Sequence, residues 1–169
     1  SAWLLQEQGY EVIGVHAKFI SKPSSYDALQ KACDFLHIPL HILDLQQAFQ
    51  KNVIDPFIQT YLQAKTPNPC ALCNPALKFG LLMDESSRLG AEYLATGHYA
   101  RIGQFNPSPS GHSNLDGREE GFYTIYPAQD LAKDQSYFLA LVPQERLKRV
   151  IFPLKNREKP ELRTNNEKL

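Results

Sequence analysis

Residues 2–15, Ala2-Trp-Leu-Leu-Gln-Glu-Gln-Gly-Tyr-Glu-Val-Ile-Gly-Val15, change their hydrophobic pattern halfway along. The first part reads as the end of a helix, with Gly9 suited to the left-handed cap on which many helices stop. Residues 11–15 are short and mostly apolar, the pattern of a strand. The same alternation continues downstream. Ser24 and Ser25 are placed to cap a second helix whose apolar positions Ala28, Ala32, Phe35 and Leu36 keep helical spacing, and Pro39-Leu-His-Ile-Leu43 reads as the next strand. A third helix is predicted from about Gln46 to Ala64, interrupted near Pro56, before Thr66-Pro-Asn-Pro69 turns the chain. Asn74 then caps a helix with Pro75 at its first position and Leu77, Leu81 and Leu82 inward, until Gly90 stops it.

Glu92-Tyr-Leu-Ala-Thr96 reads as a strand that ends at Gly97-His98. Strands at 100–105 and 122–126 flank a loop over 106–121 rich in Pro, Ser, Gly and Asn, and helices are predicted near 134–142 and 143–150. Strands separated by helices imply right-handed crossovers and a parallel α/β sheet with helices on both faces. Ligands in such folds sit at the carboxyl ends of the strands. Three ends carry candidates: His16 to Lys18, Asp44, and Gly97-His98.

The 169 residues suit one domain, and 43% hydrophobic with 21% charged residues is ordinary for a soluble globular chain. No apolar run is long enough to span a membrane. Three cysteines leave at least one unpaired, and no signal segment is visible, so a cytoplasmic location is expected. The net charge is zero, which gives no global reason to expect a nucleic acid. From Glu145 onward, however, eight basic residues face four acidic ones, a tail that either meets phosphate or forms a solvated face.

Cys70-Ala-Leu-Cys73 concentrates the chemistry. Cys73 directly precedes the helix start expected at Asn74-Pro75, and a helix N-terminus lowers a thiol pKa and favours the nucleophilic thiolate. The pair also permits zinc, an iron–sulfur cluster or a dithiol redox role. A closed zinc site wants four ligands, and no second Cys-x-x-Cys or paired His accompanies it. Thioredoxin-type pairs follow a strand, whereas this one follows a helix and a Pro-Asn-Pro turn. Cys33 reads as a small core hydrophobe. His16, His37, His41 and His112 form no pattern that suggests a metal or a triad.

Six segments together, in order, resemble the tRNA 2-thiouridylases of the PP-loop ATP pyrophosphatase superfamily. They are residues 2–14, Thr66-Pro-Asn-Pro-Cys-Ala-Leu-Cys-Asn74, Lys78-Phe-Gly80, Leu94-Ala-Thr-Gly-His-Tyr-Ala-Arg101, Lys133-Asp-Gln-Ser-Tyr-Phe-Leu139 and Phe152-Pro-Leu154. The resemblance implies a Rossmann-like, adenine nucleotide alpha hydrolase-like fold. It also implies an enzyme that activates the wobble uridine with ATP and magnesium, then replaces its C2 oxygen with sulfur delivered by a sulfur-carrier or cysteine desulfurase relay. It makes Cys73 catalytic and puts Ala17 and Gly97 at the nucleotide. Asn68, Pro69, Cys70, His98, Lys133, Asp134 and Gln135 fall at tRNA or target-base contacts.

The resemblance leaves sulfur delivery open. It runs either through a persulfide, with a second cysteine in a later segment of family members, or through an iron–sulfur cluster with Cys70 and Cys73 among its ligands. Two positions depart from the pattern, with Cys70 where an aspartate is common and Ala17 where a methionine is usual. The family's Ser-Gly-Gly-x-Asp-Ser loop and later cysteine are not among the 169 residues. The reading is therefore of a partial N-terminal nucleotide-binding and catalytic domain over 1–169, incomplete at both ends, with 143–169 leading toward a central tRNA-binding region. It is expected to bind ATP weakly and to be inactive alone.

Overall fold

The computed structural model describes residues 1–21, 26–105 and 122–155. Ser24 and Ser25, the loop expected at 106–121 with His112, and the tail beyond Lys155 lie outside them. Helix α1, Ala2–Glu7, buries Leu4 and Leu5 and gives way at Gly9, whose φ of +84° is the left-handed conformation its lack of a side chain permits. Strand β1 is Gly14–Lys18, three residues later than the apolar run at Glu11 suggested. Its partner explains the delay: β2, Leu40–Asp44, pairs in parallel from Gly14 opposite Leu40 to Lys18 opposite Asp44, and Pro39 has no N–H to extend the ladder backward.

Between them α2, Asp27–Phe35, buries Cys33 as expected, but not the predicted stripe. Phe35 is 60% exposed, and Ala28 and Ala32 are exposed too. The inward face is Leu29, Cys33 and Leu36, the same helical spacing displaced by one residue, which turns the stripe by about 100°.

The third helix is continuous across the expected break. Helix α3, Gln46–Phe49, widens into a π turn at Gln50–Ile54 and continues as α4, Asp55–Leu62. Pro56 cannot donate to the fourth residue back and its ring would collide with that carbonyl, so the helix widens ahead of it rather than ending. The same device recurs around Pro75. Helix α5, Pro69–Cys73, runs through wide turns at Asn74–Leu82 into α6, Met83–Arg88. Asn74 is therefore not a cap. The cap is Asn68, whose side chain accepts from the Ala71 N–H at 3.2 Å, with Pro69 at the first helical position. The backbone leaves helical angles at Gly80 (φ −94°, ψ −105°), where a Cβ would sit 2.8 Å from the Pro75 carbonyl oxygen.

Strand β3 is short, Leu94–Ala95, and pairs in parallel with β6, Val150–Ile151. The helix expected at 143–150 is only α7, Gln144–Leu147, because the β-branched Val150 and Ile151 enter the sheet. The helix expected at 134–142 is replaced by two 3₁₀ turns, Leu131–Lys133 and Ser136–Leu139, separated at Asp134 by an extended backbone. Strands β4, Ala100–Phe105, and β5, Phe122–Pro127, form the expected pair, which is an antiparallel hairpin. Phe79, Met83, Leu94, Ala100, Leu139, Val142, Leu147, Val150 and Phe152 make one buried cluster between α6, the β3–β6 pair and the hairpin.

Parallel pairing uses alternate residues. Gly14 donates to Pro39 and Lys18 accepts from Leu45, so Val15 and Ala17 turn their backbone groups away from β2. Leu94 and Thr96 donate to Arg149 and Ile151, so Ala95 faces away from β6. Among the described residues neither of these outer edges has a strand partner, and a cleft of about 600 Å³ lies between them, lined by residues 11–15 and 92–96.

Candidate functional site

The Cys-x-x-Cys segment is the first turn of the capped helix that starts at Pro69. Cys70 occupies its second position and is exposed, and Cys73 lies a turn inside and is half-buried. This corrects the expectation for Cys73. It does not precede a helix start, and burial pushes its thiol pKa up, with Lys78 opposing that rise and Cys70 adding to it. Lys78 follows Cys73 by five residues, one wide turn later. The next residue, Asn74, is 1% exposed, donates to the Phe138 carbonyl at 2.9 Å, and leaves its own Oδ1 with no partner among the described residues.

His98, just beyond β3, is 8% exposed and wedged between the rings of Phe79 and Phe152, at centroid distances of 5.9 and 6.1 Å. Burial, and then the nearby Lys78 charge, lower its pKa to about 4, so the ring is neutral near pH 7. Its Nε2 lies 3.4 Å from Lys78 Nζ and its Nδ1 2.8 Å from Thr96 Oγ1. An ammonium only donates, so Nε2 is the acceptor and Nδ1 carries the proton it gives to Thr96. Both ring nitrogens are thus committed inside the protein, and the tRNA contact expected of His98 finds no free ring nitrogen.

The stretch 133–135 splits. Lys133 is exposed. The Asp134 carboxylate accepts from the Ala128 N–H at 2.8 Å and the Ser136 hydroxyl at 2.7 Å, and these hydrogen bonds hold its pKa below the usual carboxylate value. Gln135 clamps Tyr99, its N–H donating to the Tyr99 carbonyl at 2.9 Å and its Oε1 accepting from the Tyr99 N–H at 3.1 Å. Asp134 and Gln135 thereby fasten this loop beside His98, and Asn74 fastens its far end to the thiol-bearing helix. The structure brings together Cys70, Cys73, His98 and the 133–139 loop.

Ala17 lies on β1, opposite Leu43, and joins the strand end where Lys18 and Asp44 form an ion pair at 3.3 Å. Gly97 is exposed, and a Cβ there would meet only ordinary contacts, 3.6 Å from Ser1 Oγ and 3.9 Å from Leu154. Nothing in the described fold demands glycine at that point. His16 packs against Tyr26, and His37 and His41 stay apart from the thiols. Among the described residues no group of three or more His, Cys, Asp or Glu is arranged to hold a metal, and no helix is long and apolar enough to cross a membrane. Lys78 was missed as a functional candidate. Its only sequence signal was the Lys-Phe-Gly segment, which says nothing of its neighbours.

The model of the family described as "tRNA methyl transferase HUP domain" matches residues 1–169. The chain is 45% identical over 157 residues to the tRNA-specific 2-thiouridylase MnmA of Helicobacter hepaticus, covering 90% of the chain and 41% of that protein. It is 43% identical over 167 residues to the protein of the same name from Sulfurimonas denitrificans, covering 96% and 44%. A third, from Helicobacter pylori, is 42% identical over 158 residues, covering 91% and 42%. The chain spans less than half the length of these relatives.

Proposed function

Because the chain belongs to the tRNA methyl transferase HUP domain family, we propose that it supplies the nucleotide-binding and thiol-bearing part of a cytoplasmic tRNA 2-thiouridylase. The carrying observation is the assembly of Cys73, Lys78 and His98 against the 133–139 loop, at the end of a parallel strand. The reaction needs two displacements. The uridine O2 attacks the α-phosphorus of ATP, held with magnesium, and pyrophosphate leaves. A sulfur nucleophile supplied by a relay protein then attacks C2, and AMP leaves with the C2 oxygen.

Each residue has a part in this scheme. Gly97 lets the nucleotide approach the backbone at a point where the fold itself has no need of glycine. Cys73 is the thiol that acts on the transferred sulfur, its burial raising its pKa until a positive group compensates. Lys133 is exposed to meet RNA phosphate, while Asp134, Gln135 and His98 serve by holding the loop and Lys78 in place. Asn68 and Pro69 present Cys70 and Cys73 by starting the helix.

Two thiols fall short of the three or four that an iron–sulfur cluster takes, and the described residues add no third ligand, so no step is routed through a cluster. In a thiolation assay read by mass spectrometry of the tRNA nucleosides, Cys73→Ser abolishes the thiouridine and Cys70→Ser keeps much of it. Full thiolation by Cys73→Ser removes the proposal. Loss by both, with a requirement for anaerobic reconstitution, replaces the persulfide scheme with the cluster.

A further inference from the structure

We propose that Lys78 is a phosphate-binding residue of this site, held by His98 so that its ammonium takes the phosphoryl group of an adenosine nucleotide; the assignment rests on the adenylation reading above. Lys78 is half-buried and has no carboxylate partner among the described residues, where the ion pairs are Lys18–Asp44, Arg88–Glu85 and Arg146–Asp84. A partly desolvated cation without a counter-charge is costly. Its side-chain partner, His98, is a neutral ring that fixes direction and compensates no charge, and one contact leaves two ammonium protons to donate. An anion satisfies both.

Position selects which anion. Lys78 lies one wide turn after Cys73, close enough for its charge to act on that thiol, and beside Gly97-His98 at the carboxyl end of β3. When sulfur bonds to C2, the C2–O bond breaks and its electron pair leaves with the oxygen as AMP. The phosphate that receives this charge is attached through that single oxygen to the carbon under attack. A cation near the thiol is therefore near that phosphate, where it stabilises the leaving group as charge develops. His98 acts through Lys78 and is a positioning residue. The rings of Phe79 and Phe152 fix its plane and Thr96 fixes its tautomer.

The test uses AMP and adenosine as probes of the protein in NMR titrations. AMP shifts the Lys78 Nζ and His98 ring signals of the wild type, and adenosine does not. Lys78→Gln weakens AMP binding by about tenfold or more and adenosine binding less than about twofold, Lys78→Arg retains most of the affinity, and His98→Gln falls between. Absence of AMP binding by the wild type, unshifted Lys78 signals, or equal losses for AMP and adenosine in Lys78→Gln each overturn the assignment. A greater loss for unmodified tRNA than for AMP also overturns it, in favour of the RNA backbone. The wild-type shifts decide the matter even if the variants fail to fold. A protein that binds AMP through Lys78 and makes no thiouridine keeps this inference and loses the enzymatic reading, whereas wild-type thiolation by Lys78→Gln does the reverse.

Discussion

The β1–β2 pair and the β3–β6 pair are both parallel, yet their surroundings are nearly opposite. All five residues of β1 stay partly exposed, and the cores beneath the two flanking helices are small, built on Leu4, Leu5, Cys33 and Ile38. Strands β3 and β6 place Leu94 and Val150 in a cluster that also contains Phe79, Met83, Leu139 and Phe152 at 2% exposure or less. The candidate chemical groups follow the second environment. His98 and Asn74 are anchored inside or against it, and Lys78 is anchored through His98, whereas Ala17 and Lys18 lie on the lightly packed pair. A side chain that must be held to a fraction of an ångström needs neighbours that cannot yield, and dense packing supplies them.

The sharpest way to break this contrast is to cut a cavity in each half. Phe152→Ala should cost about 3–5 kcal/mol, enough to unfold much of the population, because the ring is enclosed on all sides. Leu4→Ala should sit near the lower end of the usual range, about 2 kcal/mol, because its surroundings can collapse. Equal costs in denaturant unfolding would mean that the halves are packed alike.

Protons offer a second handle. The folded pKa of His98, about 4, lies below the ordinary value of 6.5, so between the two the unfolded chain binds more protons than the native one. The stabilisation from a neutral His98 is complete above the upper value and is lost as pH falls through this window, by up to about 3 kcal/mol. Unfolding measured from pH 7 to 4 should show that slope, and His98→Gln should flatten it. An unchanged slope would place the sensitivity elsewhere.

The smallest effects separate two asparagines six residues apart. Asn74→Ala removes a buried hydrogen bond and strands the Phe138 carbonyl, for about 1–3 kcal/mol. Asn68→Ala removes an exposed cap, for about 1 kcal/mol. The reverse ranking would restore Asn74 as the cap that the sequence suggested.

That ranking shows what was and was not legible. Gly9 and the apolar runs marked the helix–strand order correctly, because glycine caps and strand composition are local signals. Pro75 misled, since a proline after an asparagine reads as a helix start, and nothing local announces that a helix already running will widen to carry it. Val150 and Ile151 form too short a strand to be seen without β3, their non-local partner. The cysteine pair and the Gly97-His98 strand end were visible as residue types. The pairing of Lys78 with His98, twenty residues apart, was not, because it depends on how a wide helix turns toward a strand end.

The wide turns at Asn74–Leu82 set a rule for insertions and deletions. A π turn holds one residue more than an α turn, so removing any single residue between Cys73 and Lys78 would let the helix close to ordinary pitch. Everything after the deletion would then rotate by about 100° relative to everything before it. Lys78 would swing off the thiol's side of the helix, and Gly80 would no longer fall beneath the Pro75 carbonyl. This segment can therefore exchange its exposed residues far more readily than it can change its length.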